Sequence, residues 1–331
     1  MSARHPRLVL CTLLAMIVCS SQAVASPWIL PDGVKVFQLT AGTEFATGEF
    51  LPDGTQQAFP LNGRFDSYFL QLNGRYGIGH NLELGLRTQF KGVSYTSDSV
   101  LLFDGDFGAA DEAELRNSVF SFSRGAIGLS DIHFSLGYQH LDGAVRLASV
   151  AELKVPTGYQ APRATFRDDD PNPDNLTDDV TLGDGQLDLL YSLQAGIFIN
   201  KTLTLIELNA GYNARFNGPG HQGLAQIKLG QAIDEHIFFF ISARGAMTLF
   251  DGDTLGDGFI AIDPSVDANA FTTDNITTIP LTRDRDYLFI EGGAILRFSG
   301  RELIIQASRA ILGANFPELT GVSIGTLLVF D

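Results

Sequence analysis

Three groups of aspartates have the residue types and spacing best suited to chemistry. Phe103-Asp104-Gly105-Asp106 and Phe250-Asp251-Gly252-Asp253 are twin stretches, and Asp168-Asp169-Asp170 is a third. Hard cations such as calcium take clustered carboxylate oxygens. Asp104, Asp106, Asp168, Asp169, Asp170, Asp251 and Asp253 are therefore the candidate metal ligands. None of the three groups shows the twelve-residue loop and terminal Glu of an EF-hand, and Asp-Gly is also an ordinary turn pair. Calcium ligation and simple turns both remain open readings. His133 stands two residues before Ser135, a spacing that sets an imidazole and a hydroxyl on one face of a strand. A serine hydrolase also needs a carboxylate to orient its histidine, and no such orienter is evident. No catalytic residue is assigned, and no enzyme is expected.

Charge narrows the classes further. The chain has 331 residues, 22 basic and 38 acidic, for a net charge of −16, and a pI near 4.6. A phosphate backbone needs a cationic face, so nucleic-acid binding is excluded. The acidity gathers in three stretches: 96–117 carries −5, 156–185 carries −5 and 251–286 carries −6. Such a rim repels anions and concentrates cations.

The elements that must position these groups read as strands. Over 82–91, Leu82, Leu84, Leu86, Thr88 and Phe90 alternate with Glu83, Gly85, Arg87, Gln89 and Lys91. Strict period two marks a strand with one apolar and one polar face. The same pattern predicts twelve strands, near 34–45, 65–78, 82–95, 118–139, 144–155, 186–199, 203–216, 223–233, 237–250, 287–298, 302–312 and 321–330. Many are ten residues or longer, which suits a tilted membrane strand of about 9–11 residues. Short turns alternate with long loops, both chain ends fall on one side, and the strand number is even. That is the plan of a single outer-membrane β-barrel over 26–331, whose closure leaves no unpaired edge in hydrocarbon.

In such a barrel the polar face points inward. The expected lumen-lining charges are Glu44, Arg75, Glu83, Arg87, Lys91, Arg146, Glu152, Lys154, Asp188, Glu207, Arg215, Lys228, Arg244, Glu291 and Arg297. The alternation also sends Phe69, Phe198, Phe238, Phe240 and Phe289 inward, which suits either a partly apolar solute or a plugged core. Arg75 with Glu83, and Glu207 with Arg215, are expected to pair across the lumen. Tyr68, Tyr76, Tyr138, Tyr212 and Phe298 are expected as girdle residues at the ends of the apolar faces.

Residues 1–25 read as an export signal, with Arg4 and Arg7, an apolar stretch over 8–18, and Ala23-Val24-Ala25 before Ser26. Both cysteines, Cys11 and Cys19, fall inside it, so the remaining chain offers no thiol, disulfide or thiolate metal site. At the other end Val322, Ile324, Leu328 and Phe330 alternate up to Asp331, which resembles the terminal strand signal of the outer-membrane assembly machinery.

Four stretches carry a family resemblance. Tyr76-Gly77-Ile78-Gly79-His80-Asn81-Leu82-Glu83-Leu84-Gly85-Leu86-Arg87 resembles a strand–turn–strand unit of the outer-membrane barrels grouped with the meta-pathway of phenol degradation. Gly128-Leu129-Ser130-Asp131-Ile132, Leu153-Lys154-Val155-Pro156-Thr157-Gly158 and Leu182-Gly183-Asp184-Gly185-Gln186-Leu187-Asp188 follow in matching order. The resemblance implies an outer-membrane channel or uptake protein for small solutes, in some members aromatic or otherwise hydrophobic. The expected function is passive diffusion of such a solute without a cofactor. The alternative is a non-transporting surface barrel whose acidic loops hold divalent cations, lipopolysaccharide or a partner.

Overall fold

The computed structural model describes residues 27–101, 119–120, 123–159, 181–216, 218–298 and 301–330. The export-signal reading of 1–25 lies outside the described residues, as do Asp104, Asp106, Asp168, Asp169 and Asp170.

Twelve antiparallel strands close into a barrel: β1 (Lys35–Ala46), β2 (Arg64–Gly79), β3 (Leu82–Thr96), β4 (Arg124–Asp142), β5 (Val145–Val155), β6 (Asp188–Ile199), β7 (Thr204–Arg215), β8 (Gln222–Ala232), β9 (Ile237–Thr248), β10 (Asp286–Phe298), β11 (Arg301–Ala314) and β12 (Thr320–Phe330). Each pairs with its chain neighbours, and β12 returns to β1 with Lys35 opposite Phe330 and Phe45 opposite Thr320. No described helix is long and apolar enough to cross a membrane.

The alternation decides the faces. Outward side chains such as Leu70, Leu72, Leu84, Leu86, Leu193, Ile241 and Ile324 are exposed, while inward Asn73, Arg75, Glu83, Gln194 and Lys228 are buried. A soluble barrel would reverse this arrangement, because exposed apolar area is unfavourable in water but not in lipid. Tyr76, Tyr138 and Phe298 lie outward near the short turns, and Tyr68 and Tyr212 lie outward near the long loops. The tight β2–β3 turn needs left-handed backbone, which Gly79, His80 and Asn81 supply at φ 82°, 53° and 62°.

The strand predicted over 118–139 is instead two pieces. Val119–Phe120 pairs with Val100–Leu101 outside the barrel, and β4 starts at Arg124. The long loops also hold structure that their turn-rich sequence hid. Thr254–Ala261 pairs with Ile276–Thr282, and Gly48–Phe50 lies between Gln56–Ala58 and Phe316–Pro317. Pro280 is tolerated there because a two-stranded ribbon is all edge.

One stretch of wall departs from simple pairing. A bulge in β4 sets Ile132 opposite Thr88 but Leu129 opposite Phe90. β5 pairs with β4 only as far as Ile132, opposite Val155. Beyond that point β4 pairs with β3 alone. The far side of β4 is covered by the two ends of the β5–β6 loop, through Thr157 Oγ1–H to the Leu129 carbonyl and Ser130 Oγ–H to the Leu182 carbonyl, both at 2.7 Å.

Candidate functional site: the barrel lumen

The short-turn end of the lumen is filled by the segment just before β1. Trp28, Ile29 and Leu30 are buried. Trp28 and Leu30 pack with inward Leu205, Phe238, Phe240, Ile295, Ile304 and Leu327, and Phe198 packs against this cluster. The segment's backbone polar groups, which burial would otherwise orphan, are met by side chains of the wall. Leu30 N–H donates to Glu83 Oε2 at 2.8 Å, and Ile29 N–H to Gln139 Oε1 at 3.1 Å. The Trp28 carbonyl accepts from Arg75 Nη2 at 2.8 Å. Close approach requires glycine in the wall: a Cβ at Gly77 would run into the Pro31 carbonyl oxygen, and one at Gly196 would run into the Trp28 ring. Arg146 stands over that ring, 5.9 Å from its centroid.

The inward charges are organised as local pairs. Arg75 and Glu83 meet at 2.6 Å, fully buried beneath the segment. They are eight residues apart but sit on adjacent strands across a tight turn. Glu207 and Arg215, also eight apart, share one strand, and a rise near 3.4 Å per residue keeps them roughly 27 Å from each other. Their expected pairing is therefore corrected: Glu207 faces Lys228 at 3.6 Å, and Arg215 reaches Asp184 at 3.2 Å. Arg297 pairs with Glu302 at 2.8 Å. Glu302 escaped the sequence reading because β11 is apolar on both faces at this height, where inward Ile304 joins the packed floor.

At mid-height the wall is polar. Arg87 Nη2 lies 3.1 Å from Glu152 and 3.0 Å from His133 Nδ1, and that nitrogen is 2.7 Å from Glu152 Oε1. The carboxylate beside His133, unseen in the sequence, comes from the neighbouring strand. Nδ1 is thus engaged by Glu152 and Arg87, and no hydrogen bond joins His133 to Ser135 among the described residues. Across the lumen Arg244 Nε binds Glu291 Oε1 at 2.5 Å, Ser242 donates to Glu291 Oε2 at 2.9 Å, and the guanidinium stacks 4.3 Å from the Phe289 centroid. Between these groups lies a cavity of about 260 Å³, with Glu44, Phe69 and several glutamines in its wall. Lys91 is inward on β3 and half-buried.

Toward the long loops, Lys154 gathers Asp184 at 2.7 Å and Asp188 at 2.6 Å. Burial raises the cost of charging Asp184, but Lys154 and Arg215 beside it hold its carboxyl below the usual range. Tyr159 donates to Asp131 and accepts from the Gly185 N–H at 2.9 Å. Burial, followed by the Asp131 hydrogen bond, pushes the Tyr159 phenol above its ordinary value. These contacts pin both ends of the β5–β6 loop against the wall.

Of the candidate metal ligands, Asp251 and Asp253 are exposed in a turn that another carboxylate organises. Asp284 accepts from Gly220 N–H at 2.7 Å and from Gly252 N–H at 2.6 Å. Among the described residues, no group of three histidine or acidic side chains is placed to hold a metal ion.

No protein-family model matches the chain, and no curated protein matches it. Solved structures do. An outer membrane channel from Pseudomonas putida F1 is similar at TM-score 0.62 with 12% identity, over 94% of this chain and 100% of that one. Weaker likenesses, both at TM-score 0.41, are to the translocator domain of the autotransporter NalP from Neisseria meningitidis and to the KdgM porin in complex with disordered oligogalacturonate. The first is 11% identical over 98% and 95% of the two chains, the second 6% over 89% and 99%. At such identity the likeness is one of fold. Closed barrel, apolar belt and polar lumen together define an outer-membrane β-barrel protein, located in the cell outer membrane.

Proposed function

We propose that this protein is a channel for small solutes whose lumen is stoppered at the short-turn end by its own N-terminal segment. The observation that carries the reading is the manner of attachment. Residues 27–31 are held by side-chain hydrogen bonds from Glu83, Arg75 and Gln139 and by apolar packing, with backbone bonds to the wall beginning only at Gly33 and Val34, whereas the barrel strands are held by long ladders of backbone pairs broken only at bulges and where β5 leaves β4. A segment so held can leave its seat while the barrel stays closed. Short turns face the periplasm in barrels of this plan, so the stopper guards the periplasmic exit.

The family resemblance implies aromatic or other hydrophobic solutes in some members, but the inward phenylalanines lend that class little support here. Of the five inward phenylalanines, Phe198, Phe238 and Phe240 belong to the stoppered floor and Phe289 packs beneath Arg244, which leaves Phe69 facing the cavity. The terminal strand β12 is proposed as the segment read by the outer-membrane assembly machinery, and the outward belt as the surface that meets lipid and lipopolysaccharide.

Planar-bilayer recording tests this. The full protein is expected to show small, infrequent openings, and a chain lacking 27–31 a larger steady conductance. Silence in both would defeat the channel reading.

A further inference from the structure

The mid-lumen cavity is unlike the rest of the interior. Its wall is built mainly of uncharged hydrogen-bonding side chains, among them Gln38, Gln71, Gln89, Gln226 and Gln306. Two of these are incompletely used. The side-chain carbonyl oxygens of Gln38 and Gln306 are buried and lack a hydrogen-bond partner, and so does Arg87 Nε. Native interiors rarely leave such groups unmet. The formal charges in the same wall balance, with Arg87 and Arg244 set against Glu44 and Glu291.

We propose that this cavity binds a small, uncharged, hydroxyl-rich solute, no larger than about one sugar ring. A hydroxyl both donates and accepts, so one molecule can give protons to the two glutamine oxygens and accept from the Arg87 N–H after a modest turn of each side chain. Phe69 supplies an apolar surface for the carbon side of such a molecule. A hydrocarbon would leave the same oxygens without a partner, which is unfavourable. An anion finds no free guanidinium to hold it, because Arg87 and Arg244 are already paired with Glu152 and Glu291. The volume, near 260 Å³, lies at the small end of ligand pockets. The proposal deepens the channel reading by naming what the path would select.

Binding can be read without transport. Saturation-transfer NMR on the folded protein in detergent, with glycerol, glucose, benzoate and phenol as probes, is expected to show glycerol and glucose bound and the other two excluded from the cavity. Gln38→Met and Gln306→Met, each confirmed as a folded barrel by its gel mobility, should weaken glucose binding about tenfold. Gln306→Glu keeps acceptor oxygens and should retain it. Absence of polyol binding, preference for phenol or benzoate, or equal glucose binding in the methionine variants would overturn the site. Conductance without polyol binding removes the site and leaves the channel, while polyol binding in a protein that is silent in bilayers supports the site and removes the channel.

Discussion

The floor of the lumen and its middle follow the same strand alternation and end in opposite states. At the floor, inward Leu205, Phe238, Ile295 and Leu327 are at most 1% exposed and close over Trp28 like the core of a soluble domain. In the middle, inward glutamines and ion pairs surround a cavity with unmet polar atoms. Alternation fixes which residues point inward; the presence of a covering segment decides whether those residues can be apolar. Where 27–31 enters, the inward face becomes a hydrophobic core. Where none of the described residues enters, it stays polar, as a wetted wall must.

Breaking the floor should have the largest effect. Arg75→Ala or Glu83→Ala strands a buried charge, and each is expected to cost about 3–5 kcal/mol in denaturant unfolding of the barrel. The double change to leucine should cost less than either single, since it leaves no unpaired charge. Gly196→Val targets the stopper alone by driving a side chain into the Trp28 ring. Trp28 is the chain's one tryptophan, so a red-shifted, quenchable emission would report its release, and conductance should rise to that of the chain lacking 27–31.

Outside the lumen, Leu86→Lys places a charge in the lipid belt and should cost roughly 2–4 kcal/mol, whereas substitutions of half-buried Gln89 three residues on should be far milder. Near the long loops, the Asp184 latch sharpens the picture through pH. Its carboxyl is held below the ordinary value of 3.8, so its contribution is complete above that value and is lost as the pH falls through the depressed one. The described ends of the β5–β6 loop, 156–159 and 181–185, should therefore resist protease at pH 7 and become cleavable in strong acid, and Asp184→Asn should make them cleavable at pH 7. The smallest effect belongs to Arg64→Ala. Its pair with Asp66 is solvent-exposed, so no measurable change in stability is expected.

Twelve strands, their faces and the clustering of charge inside were legible because each rests on a local period. What the sequence hid has a common physical cause. Trp28-Ile29-Leu30 is a run of apolar residues without alternation, so nothing local marks it as a stopper; its seat exists only once Gly77, Gly196, Glu83 and Gln139 converge from four strands. Asp184 reads as one more loop acid until β5 and β7 bring Lys154 and Arg215 to it. Likewise Glu152 beside His133, and the unmet oxygens of Gln38 and Gln306, are relations between strands.

The proposal that 27–31 stoppers the lumen at its short-turn end is tested most directly by a single reporter thiol. The only native cysteines, Cys11 and Cys19, precede residue 26, and Gln89 lines the cavity above the stopper. Gln89→Cys should be modified by a small membrane-impermeant thiol reagent added outside intact cells, and spared when the reagent is supplied from the periplasmic side. Removal of 27–31 should make it reactive from both. Modification from the periplasmic side with the segment in place would contradict the account.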